Sequence, residues 1–174
     1  VGCLAEAALA VDATLIHVST DYVFDGQKTT SYVEDDTPNP QSVYGRTKLA
    51  GENGIRVAEG RFAILRTSWV FSEDGANFVK TMLRLGAERD SLTIVADQVG
   101  GPTPARAIAE ACLTMAEALT TDKTKSGTYH FSGAPDASWC AFALAIFEQA
   151  AWPIRVQAIS TSAYPTPAAR PLNS

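Results

Sequence analysis

Two short motifs hold side chains that could do chemistry together. Ser19–Thr20–Asp21–Tyr22–Val23–Phe24–Asp25–Gly26 offers a hydroxyl, Thr20, just after an apolar run. Tyr44–Gly45–Arg46–Thr47–Lys48 offers a phenol and an ammonium four residues apart. On a helix that spacing puts both on one face. A free phenol, with a pKa of about 10, is a poor acid or base at neutral pH. A neighbouring ammonium favours the ionised form of a phenol, and its remaining donors suit a ribose hydroxyl. A hydroxyl at a strand end can hold a carbonyl oxygen beside the phenol. The three make an acid–base set for carbonyl reduction: hydride reaches carbon from a nicotinamide, and a proton reaches oxygen from the phenol. A Tyr-x-x-x-Lys pair alone is a weak signal, because such pairs are commonly surface decoration. Pro40, Gly45 and the upstream hydroxyl strengthen it.

These residues need a strand end and a helix start to meet. Thr14–Val18 is a short apolar run suited to a strand buried on both faces. Thr20 follows it, at the carboxyl end where open α/β sheets bind ligands. The spacing predicts a helix over 41–59, just after Pro40. The polar stretch 21–40 reads as a loop. Further helices are expected at 4–11, 77–88, 104–119 and 138–151, the last with Ser138 as its N-cap. Further strands are expected at 61–66, 92–95, 127–131 and 154–159. The alternation of strands and helices gives an α/β fold with a mainly parallel sheet.

Composition narrows the function classes. The chain has 174 residues, enough for one large domain or slightly more. Hydrophobic residues at 46% and charged residues at 19% describe a globular protein. A net charge of −5 argues against a nucleic-acid surface, which needs a basic patch. No apolar run approaches the roughly 20 residues of a membrane span. Cys3, Cys112 and Cys140 are isolated, which fits a reducing, cytoplasmic setting. His17 and His130 lie in strand-like runs and read as core or strand-end residues. No glycine-rich phosphate loop appears: Gly51 and Gly54 sit inside a helix, and Gly100–Gly101 precede a proline.

The runs VSTDYVFDG, PNPQSVYGRTKLAGE, LRTSWVF and DQVGGPT, with the C-terminal YPTPAARPLNS, resemble the extended short-chain dehydrogenase/reductase superfamily. Within it they are most similar to the dTDP-4-dehydrorhamnose reductase family, over essentially the whole chain. The resemblance implies a Rossmann-like sheet, and NADPH-dependent reduction of the C4 keto group of a dTDP-4-keto-6-deoxy sugar. NADH is the other cofactor compatible with it. It implies that Tyr44 is the proton donor, that Lys48 binds the nicotinamide ribose, and that Thr20 positions the carbonyl. Ser19 and Ser68 would join Tyr44 and Lys48 around the cofactor. Asp21, Tyr22, Trp69, Asn77, Gln98, Thr103 and Arg170 would line the nucleotide-sugar site, with Arg170 on the diphosphate. Trp69 equally suits core filling, and Arg66 reads as an ion-pair partner at a strand end. Arg106 stands where relatives often carry a glutamate, so no magnesium site is expected.

The resemblance also implies a division at residue 96. Residues 1–96 would be the later part of the dinucleotide domain, and residues 97–174 mostly a substrate-binding region interleaved with it. It further implies that the chain opens inside a Rossmann domain, after its glycine-rich turn. Residues 1–174 alone would then bind NADPH weakly and be inactive. An unpaired edge on the strand at 14–18 would favour aggregation or a homodimer. Two other readings share these motifs: an NAD-dependent nucleotide-sugar epimerase or dehydratase, and a non-catalytic homologue of the methionine adenosyltransferase regulatory subunit. The intact Thr20, Tyr44 and Lys48 set favours an enzyme.

Overall fold

A three-stranded parallel sheet positions the motifs. The computed structural model describes residues 1–174 except 167 and 169. The sheet runs in the order β1 (Leu15–Thr20), β2 (Phe62–Thr67), β7 (Gly127–His130). Its register pairs Leu15 with Phe62 and Thr20 with Thr67, then Ala63 with Gly127 and Arg66 with His130. Helices α1 (Gly2–Ala10) and α2 (Val43–Ala58) cover one face. Ala5, Ile55 and Ile64 form the core there, with Leu15, Ala58 and Phe62 packed around it. Side chains alternate along a strand, so Ala63 and Leu65 face the other way. Helix α4 (Ala105–Thr121) packs on β1 and β2, with Ile108 and Leu119 buried.

A second layer lies beyond this sheet. Strands β4 (Ser91–Val95) and β9 (Arg155–Ile159) pair in parallel. Helices α3 (Phe78–Glu88) and α5 (Trp139–Gln149) pack on them around Met82, Leu92, Ile94, Ala143 and Phe147. Four two-residue strands tie the layers together. β3 (Val70–Phe71) pairs in parallel with β6 (Thr103–Pro104), and β5 (Val99–Gly100) pairs antiparallel with β8 (Ala137–Ser138). The pairings β2–β7 and β4–β9 both cross residue 96.

Side-chain caps fix the helix starts. Ser42, Asn77 and Ser138 each accept from the backbone N–H three residues on, at 3.0, 3.1 and 3.0 Å. The Ser42 cap begins α2 two residues later than the composition suggested. The polar stretch after β1 opens with a short 3-10 turn, Asp21–Val23. The two-residue strands carry no periodicity and escaped the sequence reading.

Candidate active site

The carboxyl ends of β1, β2 and β7 carry the site. Thr20 is the last residue of β1 and caps the Asp21–Val23 turn. Its hydroxyl accepts from the Tyr22 N–H at 3.3 Å and donates to Asp21 Oδ1 at 2.9 Å. Asp21 Oδ2 accepts from the Ser174 hydroxyl at 2.6 Å. Burial raises the pKa of Asp21, against the pull of those Ser174 and Thr20 hydrogen bonds.

Helix α2 meets this turn at Gly45. An added Cβ there would fall 2.1 Å from the Tyr22 carbonyl oxygen. Glycine therefore lets the first turn of α2 pack directly on the backbone after β1. The same contact sets the Tyr44 ring edge-on to Tyr22, with centroids 5.6 Å apart at 79°. Tyr44 remains 54% exposed. Lys48, one turn further, donates to the Val18 carbonyl at 2.6 Å. Burial lowers its pKa, while the charge of Glu52 acts in the opposite sense.

Beneath Lys48 lies a buried ion cluster. Glu52 has no exposed surface. It accepts from Ser19 Oγ at 2.5 Å, Arg66 Nε at 3.0 Å, Arg66 Nη2 at 2.8 Å and Arg56 Nη2 at 2.9 Å. Burial opposes the charge of Glu52, but these hydrogen bonds and the Arg66 charge outweigh it and lower its pKa. Arg66 itself is 4% exposed and stacks over Phe24 at 5.0 Å. The cluster locks α2 to both β1 and β2, and so holds the helix that presents Tyr44 and Lys48.

Two of the cavities hold residues expected at the site. A small polar pocket of about 100 Å³ opens at the strand ends, lined by Asp21, Arg66, Thr67, Ser68, His130 and Ser174, among others. The buried Thr67 hydroxyl has no hydrogen-bond partner among the described residues. Burial lowers the pKa of His130 there, while Glu34 acts against it. A larger cleft of about 480 Å³ lies over β4, lined by Phe78, Leu92, Ile94, Gln98, Trp139, Tyr164 and Arg170, among others. It is mainly apolar, with one guanidinium at its edge.

The structure brings Thr20, Asp21, Tyr22, Tyr44 and Lys48 into one region, with Ser68 across the small pocket. It places Gln98 and Arg170 on the larger cleft. Other expected residues have structural partners. The Ser19 hydroxyl is turned onto Glu52. Asn77 caps α3 and donates to the Ser72 carbonyl at 2.6 Å. Thr103, fully buried, donates to the Gly101 carbonyl and accepts from Gly133 N–H. Trp69 stands in the left-handed region, φ 50°, and stacks flat on Trp139 at 3.5 Å. Trp139 in turn donates to Gln98. Arg66 has the ion-pair partner its strand-end position suggested. The sequence reading missed Glu52, His130, Trp139 and Ser174. Only Glu52 left a trace: it lies four residues after Lys48 and so shares the helix face of Tyr44 and Lys48.

Comparison with known proteins adds to this geometry. The family described as the RmlD substrate binding domain matches residues 1–174. A dTDP-4-dehydrorhamnose reductase of Aggregatibacter actinomycetemcomitans is 49% identical over 98% of this chain and 60% of its own length. One of Sinorhizobium fredii is 48% identical over 100% of this chain and 61% of its own. Among solved structures, a dTDP-4-dehydrorhamnose reductase of Clostridium acetobutylicum superposes with a TM-score of 0.92 at 41% identity, over 99% of this chain and 60% of that one. A Bacillus anthracis dTDP-4-dehydrorhamnose reductase in complex with NADP superposes at 0.88 with 39% identity, over 99% and 59%. The chain thus spans about three fifths of the length of these relatives.

Proposed function

The chain belongs to the RmlD substrate binding domain family, and from that premise we propose that its protein reduces the C4 keto group of dTDP-4-dehydro-L-rhamnose to give dTDP-L-rhamnose, with NADPH as reductant. The observation that carries this reading is the meeting of Thr20, Tyr44 and Lys48 where β1 ends and α2 begins. Curated relatives at 48–49% identity bear the name of that reductase, and the Bacillus anthracis enzyme is a complex with NADP.

The donor set fits a nicotinamide ribose. Lys48 spends one ammonium donor on Val18 and keeps the others, and Tyr44 is exposed beside it. NADPH, when bound, supplies the hydride. Thr20 orients the carbonyl oxygen. Tyr44 gives that oxygen its proton, and Lys48 steadies the phenolate left behind. The larger cleft supports the nucleotide half of the substrate: the exposed Tyr164 offers a ring face to a base, and Arg170 offers a planar fork to a diphosphate. Residues 1–96 would then serve mainly the cofactor and the chemistry, and 97–174 mainly the sugar nucleotide. The two parts are interleaved through β2–β7 and β4–β9.

The test is turnover of the protein with its natural flanking sequence, on dTDP-4-dehydro-L-rhamnose and NADPH, beside Tyr44→Phe. The expected result is NADPH consumption that falls about 10²–10⁴-fold in the variant. No consumption by the parent protein would remove the reductase reading. Equal turnover in the variant would remove Tyr44 as the acid.

A further inference from the structure

The Thr20 hydroxyl is committed in a way that bears on its task. A threonine hydroxyl has one proton and two lone pairs. One lone pair takes the Tyr22 N–H at 3.3 Å. The proton goes to Asp21 Oδ1 at 2.9 Å. An ionised carboxylate only accepts, so while Asp21 is charged the Thr20 proton must point at it. Thr20 then has no donor for a substrate carbonyl oxygen, which also only accepts.

We propose that Asp21 is a positioning residue that sets the direction of the Thr20 hydrogen bond, and that only the neutral carboxyl form releases the Thr20 proton to the substrate carbonyl. This rests on the reductase reading above and deepens it. Neutral Asp21 donates from Oδ1 to the second lone pair of Thr20, and the Thr20 proton turns outward. Ser174 selects that arrangement. Its hydroxyl donates to Oδ2 at 2.6 Å, which keeps Oδ2 as the acceptor and leaves Oδ1 to carry the acid proton. No bond to the substrate is made or broken by Asp21; one hydroxyl reverses its direction. The charged form of Asp21 suits the alcohol product instead, because a C4 hydroxyl can donate to the Thr20 lone pair thus freed.

The surroundings favour a neutral carboxyl. Asp21 is half-buried at the small pocket, and burial raises its pKa. Tyr22 adjoins it on its own turn, and its pKa is raised in turn, first by burial and then by the Asp21 charge. Across the small pocket it faces Arg66 on β2, His130 on β7, Tyr32 of the loop and Asp136 ahead of β8. Arg66 is paired with Glu52 at 2.8 Å, so it has a counter-charge that does not depend on Asp21.

The experiment compares the pH dependence of kcat/KM in the parent protein, Asp21→Asn and Ser174→Ala, each checked for a native circular-dichroism spectrum. The parent's kcat/KM should fall by about 100-fold as pH rises through the Asp21 titration, the usual cost of losing one donor to a developing oxyanion. Asparagine can put its amide N–H toward Thr20 and its oxygen toward Ser174, the pattern of the neutral acid. Asp21→Asn should lack the falling limb and exceed the parent at high pH by up to about 100-fold. Ser174→Ala removes a hydrogen bond that favours the charged form, so its limb should move to higher pH. A parent-like limb in Asp21→Asn, or a flat profile at the parent's high-pH floor, would overturn the proposal. Carbon-13 titration of the Asp21 carboxyl tests the same coupling without turnover. In Thr20→Val the carboxyl loses a donor, and its pKa should rise; an unchanged titration also overturns the proposal, whereas absent NADPH consumption overturns only the reductase reading.

Discussion

Glu52→Gln is the sharpest probe of how the site is held. The substitution keeps the volume and removes the charge. Glu52 accepts four hydrogen bonds from Ser19, Arg66 and Arg56, and Arg66 is 4% exposed. A glutamine has one accepting oxygen and presents donors where a carboxylate oxygen stood. At least one guanidinium bond must therefore break, and the Arg66 charge stays buried without its counter-charge. Breaking one partner of a buried pair costs about 3–5 kcal/mol. Against a typical total of about 5–15 kcal/mol, that is a large fraction of the stability. Replacing both partners by apolar residues of similar size, Glu52→Leu with Arg66→Met, should cost less than Glu52→Gln alone, because no fully buried charge is orphaned; the Arg56 side chain, which also loses Glu52, is 35% exposed. Urea denaturation followed by circular dichroism reads both. The pH dependence carries its own sign. The folded pKa of Glu52 is depressed, so its contribution is present above the unfolded carboxylate pKa and is lost as pH falls through the folded value. A loss under about 1 kcal/mol in Glu52→Gln, or a double variant weaker than the single, would refute the argument that this cluster anchors α2.

Two further changes test the packing around the chemistry. Gly45→Ala drives a Cβ to 2.1 Å from the Tyr22 carbonyl; overpacking of this kind costs about 1–3 kcal/mol, and kcat should fall more than KM rises, because α2 carries Tyr44 and Lys48 away from Thr20. Arg170→Ala should raise KM for the dTDP-sugar about 10–100-fold with little change in kcat, the expected effect of losing about 1.5–3 kcal/mol of charged hydrogen bonding that is the same in ground and transition states.

Much of this arrangement was legible in the residues, for identifiable reasons. The run 14–18 lacks strict alternation, and it became strand β1 with α2 and α4 against it, but the expected burial on both faces does not hold: Leu15, Ile16 and His17 are half-buried and Val18 is 43% exposed. Ser138 stood just ahead of an apolar helical run and became its cap. Tyr44 and Lys48 share a face because a helix repeats every 3.6 residues, whatever surrounds it. The contacts made across the fold were not legible. The Glu52–Arg66 pair depends on how α2 is rotated over β2, and His130 reaches the small pocket only because β7 pairs with β2. Trp139 opens α5 directly after β8, and nothing local announces that it stacks on Trp69. Ser19 and Thr20 are adjacent hydroxyls of similar chemistry. Strand alternation sends one down to Glu52 and turns the other onto the Asp21–Val23 turn, a division that composition alone does not reveal.

The segment around Asn173 has a consequence for how the site comes into being. Its backbone N–H donates to the Gly26 carbonyl, and its side chain to the carbonyls of Lys28 and Thr30. Gly26, at φ 73°, lies so close to Pro171 that a Cβ would sit 2.4 Å from it. Ser174, next in line, meets Asp21 across 153 residues of chain. Contacts so distant along the chain form only after the intervening loop has been closed, and that entropy must be met before they stabilise anything. During synthesis the Thr20 strand and the α2 helix leave the ribosome long before their clasp exists. The reactive centre is therefore completed only once the proline-rich segment has docked, and a polypeptide halted short of that segment would hold its acid–base residues on an unfastened loop.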